Sequence, residues 1–205
     1  GYSEVADRIE ALKDKVDAKE KAVTVLEQIV KETKAVRFEG NGYDVAWHEE
    51  AAKRGLPNTK TTPEALEQFL NKDVENLFEK FGVLNKRELH SKIEIELEEY
   101  SKVKDIEFKI ATDIARTLIM PAIVKQINML ATAVSAISGK ASPLAEDVEM
   151  FSGLYGDIKK ATEALEKATA DCCGISDALE RAKACAGKGA DALAALRIAV
   201  DAAEV

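Results

Sequence analysis

The chain has 205 residues, 32% charged and 46% hydrophobic, with only 5% aromatic and four prolines; this suits one large or two small folded helical domains and argues against disorder or a sheet-based fold. The formal net charge is −8, with Lys and Arg interspersed among Asp and Glu, so the chain lacks the basic footprint that nucleic acid requires and an anionic membrane surface repels it on average. Residues Gly1-Tyr2-Ser3-Glu4-Val5 run straight into a helix pattern rather than a secretory leader, and the missing initiator methionine is expected to mark a fragment. From Ser3 to Val36 the spacing predicts one long amphipathic helix. Val5, Ile9, Leu12, Val16, Val23, Leu26 and Val30 fall at steps of four and three, with Lys19 in the one missing seam position. Such a narrow stripe needs another helix to cover it.

The next stretch, 37–84, reads as a connector of short helices. Gly40-Asn41-Gly42 forces a turn, and Asp44 caps a helix that carries Trp47 and ends near Gly55. Thr62-Pro63 is a helix start, and the helix behind it presents Leu66, Phe69 and Leu70. A further helix with Val74, Leu77, Phe78 and Phe81 stops at Gly82. The connector is expected to fold back and bury its aromatics on the long helices.

Asn85 with Glu88 forms an Asn-headed capping box and opens a helical run to about Ser138. Pro121 predicts a kink or break near Thr117 to Met120. Ile93 to Glu98 alternates like a strand, but Leu89, Ile93, Leu97 and Tyr100 share one helical face, which favours helix. The apolar stretch Leu118 to Ile137 contains Pro121, Lys125, Gln126 and Asn128 and reads as a core helix rather than a membrane span. Ser142-Pro143 starts another helix carrying Leu144, Val148, Phe151, Tyr155, Ile158 and Leu165 and ending at Gly174. A last one, from Ser176, is weakened at Gly187 and Gly189. The whole predicts an all-α fold of long antiparallel helices forming an elongated bundle, with a connector of short helices packed on it. It is expected to be a single domain, 1–205, made of a long helix (1–36), the connector (37–84) and the bundle (85–205).

The residues offer little chemistry. His48 lacks the second histidine of a zinc-protease helix, and His90 lacks the Glu-x-x-His spacing of di-iron bundles. Glu94, Glu96, Glu98 and Glu99 point to several helix faces and read as a solvated surface. Gly40-Asn41-Gly42 lacks the third glycine and the preceding strand of a dinucleotide loop, and Lys188 lacks the following Ser or Thr of a phosphate loop. Cys172, Cys173 and Cys185 make a poor disulfide framework, read as small buried helix residues and fit a reducing cytoplasm. No catalytic, cofactor-binding or metal-ligating residue is assigned.

One long motif run stands apart: Arg37-Phe38-Glu39-Gly40-Asn41-Gly42-Tyr43, then Trp47-His48-Glu49-Glu50-Ala51, Lys53-Arg54-Gly55-Leu56-Pro57-Asn58, Lys60-Thr61-Thr62-Pro63-Glu64-Ala65-Leu66, and Leu77-Phe78-Glu79-Lys80-Phe81-Gly82-Val83-Leu84 to Arg87-Glu88-Leu89. It resembles the C-terminal region of type III glutamine synthetases. Asp113-Ile114-Ala115-Arg116-Thr117, Met120-Pro121-Ala122 and Leu193-Ala194-Ala195-Leu196-Arg197 extend the resemblance. The resemblance implies a piece, clipped at both ends, of a cytoplasmic enzyme that makes glutamine from glutamate and ammonia with ATP and divalent metal, all bound upstream of this region. It also implies a structural or oligomer-assembly role, with the catalytic region and neighbouring subunits as partners and with neither nucleic acid nor membrane. The candidate contact surface is the stripe Val5, Ile9, Leu12, Val16, Val23, Leu26 and Val30, although packing within one subunit explains it equally well. A free-standing helical interaction module and a small helical metal-dependent enzyme are the competing readings.

Overall fold

The computed structural model describes residues 2–12, 17–137 and 143–204, and its ordered elements there are all helical. The chain divides into two compact units, Gly1–Asn58 and Thr59–Val205, where the sequence suggested a single domain. The boundary falls inside the expected connector, so its two halves belong to different units.

Unit 1 holds α1 (Tyr2–Ala11), α2 (Ala18–Glu32), a 3-10 turn (Thr33–Val36) and α3 (Val45–Lys53). The expected single helix over 3–36 is therefore corrected to two helices that pack on each other. Arg8 fixes the pair: its guanidinium donates to Glu4 at 2.6 Å and to Glu32 at 2.8 Å. In one straight helix Arg8 and Glu32 would lie about 36 Å apart. Asp44 caps α3 by accepting the Ala46 N–H, as its position implied, and Gly55 ends the helix in the left-handed region at φ +71°. Phe38 stacks on Trp47 with ring centroids 4.4 Å apart, and the Arg54 guanidinium lies 5.6 Å from the Trp47 ring centre. These aromatics thus pack on each other within unit 1.

Unit 2 opens with α4 (Thr62–Gln68) and α5 (Lys72–Lys80). Thr61, one residue before the expected start, is the α4 cap and forms a capping box with Glu64. Gly82 at φ +62° follows α5. Asn85 and Glu88 form the anticipated capping box at the head of α6 (Lys86–Ile114). Leu89, Ile93 and Leu97 are buried on one face of α6, so the strand-like alternation is subordinate to the helical period. Leu66, Leu70, Phe78 and Leu84 from the short helices and the chain after them pack on that face, as does Ala182. Phe81 remains half exposed, so the connector buries its aromatics only in part.

Beyond α6 the ladder widens into one π-turn, Ala115–Ile119, and resumes as α7 (Met120–Ala136). The Met120 N–H reaches back to the Ala115 carbonyl. Pro121 has no N–H to give, and the wider turn accommodates its ring without ending the helix. The irregularity expected at Thr117 to Met120 is thus a π-turn rather than a break. Residues 118–137 are core on one face only: Met120 and Ile123 are buried and Ile127 packs against the core, while Leu118 and Met129 are each 65% exposed. By length and mean hydropathy (1.4 over its most apolar 18 residues) the span 86–136 is long and apolar enough to cross a membrane, and 11% of that window is buried.

α8 (Pro143–Cys173) forms the centre of unit 2, with α6, α7 and α10 (Ala190–Asp201) against it. Arg116 pairs with Glu166, and Asp105 with Cys173, so α6 and α8 run antiparallel. Buried Ile158, Thr162, Leu165, Thr169 and Cys172 recur at steps of four and three. Each buried hydroxyl is satisfied inside its own helix: Thr162 donates to the Ile158 carbonyl and Thr169 to Leu165, both at 2.7 Å. α9 (Ala178–Ala184) passes into α10 through a second π-turn, Cys185–Gly189, so the two glycines do not break the helix. Gly189 lies on the buried Phe108 ring, where an added Cβ would meet ring carbons at 2.5 and 2.6 Å. A Cβ at Gly187 would meet nothing within 4 Å.

One ion cluster anchors α5. The mostly buried Glu75 carboxylate accepts from His90 at 2.5 Å and is paired with Lys86 at 2.9 Å. The His90 hydrogen bond, with Lys86 beside it, holds the Glu75 carboxyl below the usual carboxylate range.

Two outcomes follow from these contacts. Gly189→Ala destabilises unit 2 by about 1–3 kcal/mol in urea titrations, because the added Cβ forces the buried Phe108 ring out of its place. Gly187→Ala is neutral or slightly stabilising; equal effects of the two substitutions would contradict the packing described. Glu75→Gln lowers stability at neutral pH. Because folding depresses the Glu75 pKa, its contribution is present above the ordinary carboxylate pKa and vanishes as pH falls through the folded value. The gap between wild type and Glu75→Gln should therefore close in acid, and a gap that stays constant would exclude the ion cluster as its source.

Candidate interaction surface

α2 carries two apolar stripes with the same spacing. Ala22, Val25 and Ile29 face inward, Val25 at 1% exposure. Val23, Leu26 and Val30 each lie one residue further on, about 100° round the helix, and are 55%, 53% and 48% exposed. These three residues of the expected stripe therefore point to solvent. Val5 and Ile9 on α1 are half-buried, Leu12 is exposed, and Val16 lies outside the described residues. The split between α1 and α2 breaks the stripe as one continuous seam. Val25 was missed because Ala22, Val25 and Ile29 carry the same three-and-four pattern, one residue out of phase, with a small alanine at its head.

Most ion pairs lie within one helix, but Arg8–Glu32, Glu75 with Lys86 and His90, Arg116–Glu166 and Lys183–Glu67 join different helices. Arg116 grips Glu166 with two hydrogen bonds of 2.7 Å, which keep that carboxyl below its usual range. Glu94, Glu96, Glu98 and Glu99 are all exposed, and Glu98 pairs with Lys102 one turn on. Among the described residues no three His, Cys, Asp or Glu side chains are grouped to hold a metal ion.

The three cysteines share one small cavity of about 90 Å³ with Asp105, Phe108 and Arg181. Cys172 and Cys185 are buried and Cys173 is exposed, so the expectation of buried helix residues holds for two of the three. Burial, with Cys172 alongside, pushes the Cys185 thiol up to about 12. Burial and the Asp105 carboxylate, 3.3 Å from its sulfur, push Cys173 up as well. Cys173 and Cys185 are therefore protonated at neutral pH and poor as nucleophiles or metal ligands.

The sequence matches the family described as glutamine synthetase C-terminal domain over residues 21–138. It is 35% identical over 172 residues to a glutamine synthetase of Butyrivibrio fibrisolvens, covering 75% of this chain and 25% of that protein. It is 34% identical over 106 residues to a glutamine synthetase of Bacteroides fragilis (strain YCH46), covering 52% and 14%. It is also 36% identical over 118 residues to a type-3 glutamine synthetase of Dictyostelium discoideum, covering 56% and 16%. The chain thus spans a quarter or less of the length of these relatives. The match begins inside α2 and runs past the end of α7, across the stretch whose motifs carry the resemblance. The chain belongs to the glutamine synthetase C-terminal domain family, with relatives that include the type III enzymes.

Proposed function

We propose that this chain is a non-catalytic domain of a cytoplasmic type III glutamine synthetase and serves its assembly, packing on the catalytic region or on neighbouring subunits. The parent enzyme would join ammonia to glutamate at the expense of ATP, with ATP and divalent metal bound outside this chain. The observation that carries the reading is the α2 surface, where Val23, Leu26 and Val30 face solvent beside a separately satisfied inner stripe. Contiguous exposed apolar area of this kind marks a contact site. The chemistry adds support: Arg116 is paired with Glu166 and Lys183 with Glu67 between helices, and the two thiols whose pKa is shifted are held neutral.

Two measurements test it. The isolated chain, mixed with glutamate, ammonia, ATP and magnesium, should form no glutamine above background; turnover in a clean preparation would refute the non-catalytic part. In a type III glutamine synthetase carrying this domain, Val23→Ser, Leu26→Ser and Val30→Ser together should leave the helical content of the domain unchanged and weaken subunit or domain association by at least about tenfold. Unchanged association would remove α2 from the contact surface.

A further inference from the structure

A second apolar surface runs along α6 and α7 in unit 2. Val103, Ile106, Ile110, Ile114 and Leu118 follow at steps of three and then four, and Met129 continues the line beyond Pro121. They are 43–65% exposed. Ile106 and Ile110 each lie two residues from Phe108, which puts them on the far side of the helix from the buried core. α6 is thus apolar on two opposite faces, and only one of them is covered within unit 2. From Val103 to Met129 the exposed line is about 39 Å long.

We infer that this face binds the same face of a second copy of the chain in antiparallel fashion, about a two-fold axis near Arg116. The inference deepens the assembly reading by naming a partner for a different surface. Two arguments select a second copy. The first is area. Six half-exposed aliphatic side chains offer on the order of 500 Å² of apolar surface, the size at which a patch signals binding. Pairing two copies doubles that, and the polar rim brings the total into the range of roughly 1,200–2,000 Å² typical of stable interfaces.

The second argument is symmetry and charge. Ile114 and Leu118 stand two residues either side of Arg116, Val103 and Met129 thirteen, Glu107 and Lys125 nine. Arg116 itself is turned aside to Glu166. An antiparallel pair centred there sets Val103 opposite Met129, Ile114 opposite Leu118 and Ile110 opposite Ala122, with Ile106 opposite Gln126. It also brings the exposed Lys125, which interrupts the stripe, level with Glu107 of the other copy, whose carboxylate pairs with Lys104 of its own helix at 2.7 Å and would be shared between the two lysines. That meeting occurs twice in an isologous interface. A parallel pair would set lysine against lysine.

Sedimentation equilibrium of the 205-residue chain tests this directly. Wild type should be a dimer at roughly 100 μM. Ile110→Glu should weaken the dimer at least about tenfold with helical content retained. Lys125→Glu and Glu107→Lys should each weaken it, and the two together should restore it, a rescue that a folding defect cannot mimic. A wild-type monomer, a dimer indifferent to Ile110→Glu, or failure of the double swap to rescue would each overturn the inference. So would monomeric binding to vesicles of phosphatidylcholine and phosphatidylglycerol that Ile110→Glu abolishes. Association that survives Ile110→Glu but is lost on changing Val23, Leu26 and Val30 would leave the assembly role standing and eliminate this face alone.

Discussion

Unit 2 depends on one face of α8. From Leu144 to Cys172 every inward position follows the same four-and-three alternation, and it tightens from half-buried at Val148, Phe151 and Tyr155 to fully buried at Ile158 and Leu165. A helix that meets neighbours on several sides must keep its inward side chains short where backbones come close. Thr162, Thr169 and Cys172 meet that need, and the threonine hydroxyls cost little because each bonds to its own preceding turn. The same crowding explains Gly189, which lets α10 approach the Phe108 ring of α6. With the core arranged around α8, one side of α6 is spent on packing and the other is left to solvent.

The elements that were legible in the sequence share a local cause. The Asn85 capping box, the Thr62-Pro63 start signal and the stops at Gly55 and Gly82 act over three or four residues; the start signal was one residue late, since Thr61 is the cap. The helical reading of Ile93 to Glu98 held because burial of Leu89, Ile93 and Leu97 outweighs a six-residue alternation. What was not legible depended on partners distant in sequence. Nothing between Ser3 and Val36 signals that Arg8 reaches Glu32, so a sustained heptad read as one helix. The α8 seam was seen only in part because threonine and cysteine do not register as apolar, although their spacing continues it. The outward face of 118–137 was missed because composition cannot tell a buried stripe from an outward one.

The expected stripe and the inner stripe of α2 differ only in phase. Val23, Leu26 and Val30 are surface; the inner stripe of α2 is its neighbour, one residue back. Two stripes 100° apart, both spaced by three and four, are indistinguishable until a partner helix chooses one. The same ambiguity produces the double-sided α6. Both features leave this domain with apolar surface that its own helices do not cover. That surplus is what the proposed assembly role requires.

The account rests on these helices supplying contacts rather than chemistry. Light scattering on a full-length type III glutamine synthetase that contains this domain, compared with the same protein lacking residues 1–205 of this chain, measures that most directly. The account predicts a smaller molar mass on deletion, with the remaining polypeptide still folded and still able to bind ATP. An unchanged molar mass with ATP binding abolished would contradict it.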